Sequence, residues 1–288
     1  MELAIVSGKG GTGKSSIAAA FATIGSEVIL ADCDVDAANL YLLFNPEHEE
    51  EEPFIGSYKA VVKHDLCNLC GQCISVCRFD AIRETQNQII ISETSCDGCF
   101  LCSRICPEQA ITMQQNDKSR MYTGKFRNGL MVYGWLAPGE ENTGKLVNLI
   151  REKVKKLALQ KGSSHIIIDG PPGTACPVIS TITGTEKILI VTEPSISGIN
   201  DLKRVVELVQ GFNYPVMVLI NKCDLNSAMT IRIENFCKSL NIPLAGKLPF
   251  DPHITGAMLN CKSIVEWKRE SKSSKAIMRI WDNILNLI

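Results

Sequence analysis

Apolar residues run together with almost no polar alternation at 3–6, 28–31, 166–169, 188–192, 216–221 and 245–248, several of these runs closing on a polar residue. Short unbroken runs of this kind are strands buried on both faces, as in a parallel sheet. Helical periodicity separates them. It appears at 14–23, 202–210 and 231–240, and at 144–161, where Leu146, Val147, Ile150, Val154 and Leu157 recur at three- and four-residue spacing. Strands alternating with helices predict an α/β fold in which one parallel sheet is covered by helices on both faces. Residues 39–44 continue as a short apolar turn or helix, and 120–135 predicts a β-hairpin through Asn128-Gly129.

Two regions break this alternation. Pro46 is followed by Glu47-His48-Glu49-Glu50-Glu51-Glu52, like charges whose repulsion predicts a solvated linker. From about 59 to 112 the chain repeats itself at an offset of 29: Cys67, Cys70, Cys73 and Cys77 recur as Cys96, Cys99, Cys102 and Cys106, and Ala81-Ile82 as Ala110-Ile111. Neither half is long enough to bury a core, so the two are expected to fold around something they share. The domains then read as 1–57, the first part of the α/β domain; 58–115, an insert; and 116–288, the remainder. Residues 135–145 are rich in turn and polar residues for a connection. That suits contact with a nucleotide interface or partner, or a plain hairpin exit with Asn142 or Thr143 capping the next helix.

Composition narrows function more than fold. Hydrophobic residues make up 45% and charged residues 21% of the 288, enough for a packed core and incompatible with a disordered chain. Thirty Lys and Arg against 31 Asp and Glu leave a net charge of −1, so no nucleic-acid contact is expected. No export segment opens the sequence and no apolar run approaches ~18 residues, which predicts a cytoplasmic protein. Ile277, Ile280, Trp281, Ile284, Leu285 and Ile288 form a C-terminal stripe expected to pack on the sheet and not on a membrane. Thirteen cysteines in such a chain, eight of them in the duplication, predict metal ligands and not disulfides.

Gly8-Lys9-Gly10-Gly11-Thr12-Gly13-Lys14-Ser15 fits the phosphate-loop pattern G-x-x-x-x-G-K-[ST] between a strand and a helix, the setting that motif requires. Gly8, Gly10, Gly11, Thr12, Gly13, Ser15 and Ser16 would cradle a polyphosphate; Lys14 reaches its outer phosphates and Ser15 is placed for Mg²⁺. With its second lysine, Lys9, the motif resembles the deviant Walker A family of P-loop ATPases, which includes MinD, ParA, Mrp-type proteins and the nitrogenase iron protein. The resemblance implies ATP and Mg²⁺ as ligands and slow, partner-stimulated hydrolysis. It also implies a homodimer formed on nucleotide binding, in which Lys9 reaches the other subunit's nucleotide. Asp34, in Asp32-Cys33-Asp34-Val35-Asp36, matches the carboxylate that positions the attacking water, and Asp169, in Asp169-Gly170-Pro171-Pro172-Gly173, the one that holds a Mg²⁺-bound water. Asn221 and the loop Pro249-Phe250-Asp251-Pro252 match base-side positions, although Asn221-Lys222-Cys223-Asp224 also resembles the guanine-reading N-K-x-D of GTPases.

The doubled spacing C-x2-C-x2-C-x3-C resembles the bacterial two-cluster ferredoxins, in which the fourth cysteine of each run ligates the other cluster. That likeness implies two [4Fe-4S] clusters, one on Cys67, Cys70, Cys73 and Cys106, the other on Cys96, Cys99, Cys102 and Cys77. Pro107 follows the second run; Arg78 stands at the corresponding place after the first. Zinc would favour paired C-x2-C units. Cys176 suits either a symmetric ligand at a dimer face or a small residue at a helix start, while Cys33, Cys223, Cys237 and Cys261 read as structural. The whole chain therefore resembles a MinD-type ATPase with an inserted ferredoxin domain. The expected function is nucleotide-gated electron transfer with a partner protein. The alternatives are a Mrp-type iron-sulfur cluster carrier and a MinD-like positioning ATPase whose clusters sense redox state.

Overall fold

Strand β1 (Glu2–Ser7) is buried along its whole length, Leu3 and Ile5 entering one hydrophobic core and Ala4 and Val6 another. A strand of this composition needs cover on both faces, and the helices supply it. After β1 come α1 (Lys14–Ile24), β2 (Val28–Asp32), α2 (Leu40–Phe44), β3 (Glu47–Phe54), β4 (Tyr58–Val62), α3 (Gln72–Val76), β5 (Ile82–Thr85), β6 (Gln88–Ile91), α4 (Leu101–Ile105) and β7 (Ile111–Gln115). The chain continues through β8 (Ser119–Phe126), β9 (Gly129–Trp135), α5 (Thr143–Lys161), β10 (Ile166–Pro172), α6 (Cys176–Ile182), β11 (Lys187–Thr192), α7 (Ile196–Gln210) and β12 (Val216–Ile220). It ends with α8 (Ser227–Ser239), β13 (Leu244–Lys247), α9 (Pro252–Leu259), α10 (Ile264–Trp267) and α11 (Lys272–Asn286). This computed structural model describes every residue except Ser26, Ser164, Asn213, Leu287 and Ile288.

A nine-stranded sheet is ordered β13-β12-β11-β1-β10-β2-β9-β8-β3, and its strands from β13 to β9 pair in parallel. Helices α1 and α11 pack on one face and α6, α7 and α8 on the other. The C-terminal stripe belongs to the first of these cores: Ile277, Ile280, Trp281 and Ile284 are buried, and the Trp281 ring lies 5.0 Å from Phe21. Leu285 is partly exposed, and Ile288 lies outside the described residues. Among the described residues no helix is long and apolar enough to cross a membrane.

The acidic run is strand, not linker. Residues 47–52 form most of β3, the outermost strand of the sheet, where side chains extend into solvent and like charges discourage pairing with another chain. His48 stays exposed but lies along the sheet, its ring stacked on Tyr122 and its Nε2 2.8 Å from Tyr133 Oη, while Lys153 pairs with Glu50. An edge position thus relieves the repulsion that the sequence pattern suggested would unfold this segment.

The chain divides into two compact units. One comprises Met1–Glu51, Tyr122–Gly134 and Thr143–Ile288; the other comprises Glu52–Met121 and Trp135–Asn142. The second unit expresses the duplication directly: β4-α3-β5 and β6-α4-β7 follow each other at the same offset, and the halves interlock because β4 pairs with β7 and β5 with β6, both antiparallel. Its apolar core is small, Ala60, Ala81, Ile82, Ile89 and Ile111 packing with Cys96 and Cys102. The polar connection 135–142 belongs to this unit. Lys59 Nζ donates to Gly139 O at 2.8 Å, Asn116 Nδ2 to Glu140 Oε2 at 2.6 Å and Asn142 Nδ2 to Gly56 O at 2.6 Å.

Candidate functional site

Residues 8–13 leave the carboxyl end of β1 and enter α1, where ligands of open parallel sheets bind. Gly11 and Gly13 hold φ of 79° and 93°, left-handed conformations open to glycine without strain. A Cβ on Gly13 would stand 2.4 Å from Asn221 Nδ2, which donates to Thr12 O at 2.8 Å; around Gly10 and Gly11 there is open space. Lys14 is buried with its Nζ 2.8 Å from Asp169 Oδ1. Asp32 pairs in register with Asp169 on the neighbouring strand, and Asp34 is half-buried nearby, so three carboxylates surround one ammonium. Burial acts most strongly on Lys14 and would depress its pKa, but the charge and hydrogen bond of Asp169, joined by the charges of Asp34 and Asp32, together hold the group above its usual value. Burial raises Asp34 as well, against the pull of Lys14.

Asp32 organises the loop that bears Asp34. Its Oδ1 accepts from Asp34 N at 3.2 Å, and its Oδ2 from Asn39 N and Leu40 N at 3.1 Å, which starts α2. Burial and then the Asp169 charge push the Asp32 carboxyl up to about 7. Between its ordinary value near 3.8 and that one, the folded protein holds a proton the unfolded chain has released. The group's contribution to stability is therefore greatest below pH 4 and is lost as pH rises through about 7. Asp32→Asn should gain on wild type between pH 5 and 8 by on the order of 2 kcal/mol, read as diverging urea midpoints of the nucleotide-free proteins. Parallel midpoints across that range would show that Asp32 is ionised throughout.

Among the described buried polar atoms, Asp169 Oδ2 and Thr12 Oγ1 have no hydrogen-bond partner. Both belong to the phosphate-loop cluster, and a hydrated Mg²⁺ with phosphate oxygens would satisfy them. Ser15 Oγ lies 3.5 Å from Lys14 Nζ, whereas Ser16 Oγ donates to Met258 Sδ at 3.0 Å and is committed away from the loop. Lys9 folds back on its own chain, 2.6 Å from Glu193 Oε1, and donates to Ser197 Oγ at 2.9 Å. Glu193 Oε2 also binds Lys222, which donates to Gly11 O. In the loop that the resemblance assigns to the base side, Asp224 Oδ1 accepts from Phe250 N at 2.6 Å, Pro249 and Phe250 are exposed, and Asp251 caps α9.

The eight cysteines of the duplication line two small cavities. Cys67, Cys70, Cys73 and Cys106 line one; Cys77, Cys96, Cys99 and Cys102 line the other. Each set takes three thiols from one run and the fourth from the other, a consequence of the interlocked halves. Apart from one carboxylate apiece, Glu108 and Asp97, the other walls are apolar or uncharged. Among the described residues no three His, Cys, Asp or Glu side chains converge as closely as a single metal ion requires. Cys176 is exposed at the start of α6; Cys33 and Cys237 are buried, Cys223 is half-buried and Cys261 exposed.

Residues 3–264 match the sequence family described as the CobQ/CobB/MinD/ParA nucleotide binding domain. The chain belongs to this family. An uncharacterized protein of Methanocaldococcus jannaschii, MJ0578, is 33% identical over 294 residues, covering 100% of this chain and 98% of its own. The septum site-determining protein MinD of Pyrococcus horikoshii, solved with Mg-ADP, superposes with a TM-score of 0.61 at 20% identity over 99% of this chain and 96% of that one. MinD of Aquifex aeolicus in complex with MinC gives 0.57 at 18% identity, over 100% and 97% of the chains. The family's α/β nucleotide-binding fold accounts for the first unit. Two of its polar residues escaped sequence reading: Asp32, the first member of Asp32-Cys33-Asp34, and Glu193, which sits just past β11. The position of each at the carboxyl end of a parallel strand is the signal that points to both.

Proposed function

We propose that this protein is an ATP-binding, slowly hydrolysing P-loop ATPase that dimerises on nucleotide and holds two [4Fe-4S] clusters, coupling nucleotide state to electron transfer with a partner protein. The observation that carries the reading is the pair of cavities, each walled by a complete thiol quartet in the same chain as a phosphate loop. Four thiols lining one cavity, three from one C-x2-C-x2-C run and one from the other, suit a polynuclear cluster better than zinc, which favours paired C-x2-C units. When bound, the clusters supply one-electron chemistry; the quartets' part is to hold them and exclude water with Phe79, Phe100, Met113, Ile89 and Ile111.

At the other site, Lys14 exchanges Asp169 for the outer phosphates, which frees Asp169 toward the Mg²⁺ hydration shell. Asp34 then orients a water for attack on the γ-phosphorus as the bond to the β-phosphate oxygen breaks. Lys9 must leave Glu193 to act across a dimer, so the nucleotide-free chain keeps it out of use. Phe250 N engages Asp224 Oδ1 and leaves Oδ2 as an acceptor, so the preference for ATP rests on the likeness to the MinD solved with Mg-ADP. The chain passes between its units inside β3, β8 and β9 and again between Asn142 and Thr143.

Anaerobically isolated protein should carry about eight iron and eight acid-labile sulfides per chain. Mg-AMPPNP should shift the midpoint potential of at least one centre. Zinc in place of iron would overturn the reading. Unchanged potentials together with ATP-stimulated release of iron and sulfide to an apo-acceptor would put the Mrp-type carrier in its place.

A further inference from the structure

The two cysteine cavities are related by the duplication, so any charge that breaks the repeat distinguishes them. Lys59 is such a charge. It is 6% exposed, and its Nζ donates to two carbonyls, Cys96 O and Gly139 O, each at 2.8 Å. No carboxylate pairs with it among the described residues. At the same offset of 29 the second half has Gln88, neutral and exposed. The charges that line the cavities are one carboxylate apiece. Asp97 lines one cavity and Glu108 the other, while Arg78 and Arg104 are exposed.

We propose that buried Lys59 makes the centre held by Cys77, Cys96, Cys99 and Cys102 the higher-potential, electron-accepting one of the two. A buried ammonium bonded only to neutral carbonyls is costly unless a fixed negative charge lies close by, and four thiolates with their cluster provide it. Reduction adds one further negative charge there, which the ammonium favours. The bond to Cys96 O puts this charge one hydrogen bond from the backbone of a ligand residue, so it acts on this quartet before the other. The same side chain straps the 135–142 connection to the cysteine loop, which gives that polar segment a purpose. Lys59 is thus a positioning residue. The inference rests on the two-cluster reading above.

Redox titration of the full-length anaerobic protein by EPR tests it. Wild type should show two one-electron steps. Lys59→Gln should lower the upper step by about tenfold in reduced fraction at fixed poise, about 59 mV, and leave the lower one in place. Lys59→Arg should restore it, and Arg78→Gln, an exposed charge, should move neither. In wild type alone the gap should persist from low to high salt, because a buried charge is not screened. Full iron content in Lys59→Gln with both midpoints unmoved, or a wild-type gap that collapses in salt, would overturn the assignment to Lys59. Absence of any reducible iron-sulfur signal in wild type would overturn the cluster reading itself.

Discussion

Lys14→Ala is expected to weaken Mg-ATP binding by at least about a hundredfold, whereas Lys9→Ala should leave it within about threefold and remove nucleotide-dependent dimerisation. The difference follows from where each ammonium sits. Lys14 lies at the start of α1, buried and paired with Asp169, which it can exchange for phosphate oxygens. Losing one or two charge-assisted hydrogen bonds worth ~1.5–3 kcal/mol each accounts for the hundredfold. Lys9 is bound to Glu193 and Ser197 of its own chain, away from the cradle of backbone N–H groups. Its removal costs little until two chains meet. Because Lys14→Ala also leaves Asp169 buried without its counter-ion, Lys14→Gln and far-UV circular dichroism should accompany it. Calorimetry gives the affinities, and light scattering with Mg-AMPPNP gives the mass. A Lys9→Ala protein that still dimerises on nucleotide would show that Lys9 has no role between subunits.

The parallel sheet was legible because its strands are apolar without interruption, and the phosphate loop because glycine spacing and a following helix leave few other structures open to it. β3 was not legible. Repulsion among Glu47, Glu49, Glu50, Glu51 and Glu52 is a local property, whereas their tolerance in an edge strand depends on a partner strand, β8, that begins only at Ser119. The extent of the cysteine unit was half legible for a related reason. Its duplicated elements announce themselves by cysteine spacing, but the return of 135–142 rests on single hydrogen bonds from Lys59, Asn116 and Asn142 that leave no periodic mark. Asp32 and Glu193 were missed because a polar residue at a strand end looks the same in sequence whether it caps the strand or serves the site.

The strongest test of the cysteine unit is a pairing of ligand losses. Cys77→Ala alone should leave about half the iron, since one cavity keeps all four of its thiols. Adding Cys96→Ala should change little, because both residues line the same cavity. Adding Cys67→Ala instead should bring iron close to zero, since each cavity then lacks a thiol. Ligation confined to each run would reverse the two double variants: Cys77 with Cys67 would retain half, and Cys77 with Cys96 almost none. Non-additivity within a site and additivity between sites is the general signature of shared function. The apolar core here is small and β4-β7 and β5-β6 bind the halves together, so losing one centre could loosen the other. Retained Mg-ATP binding by the first unit and the EPR signal of the surviving centre separate that outcome from misfolding of the whole chain, and iron measured per nucleotide site then decides which cysteines stand together.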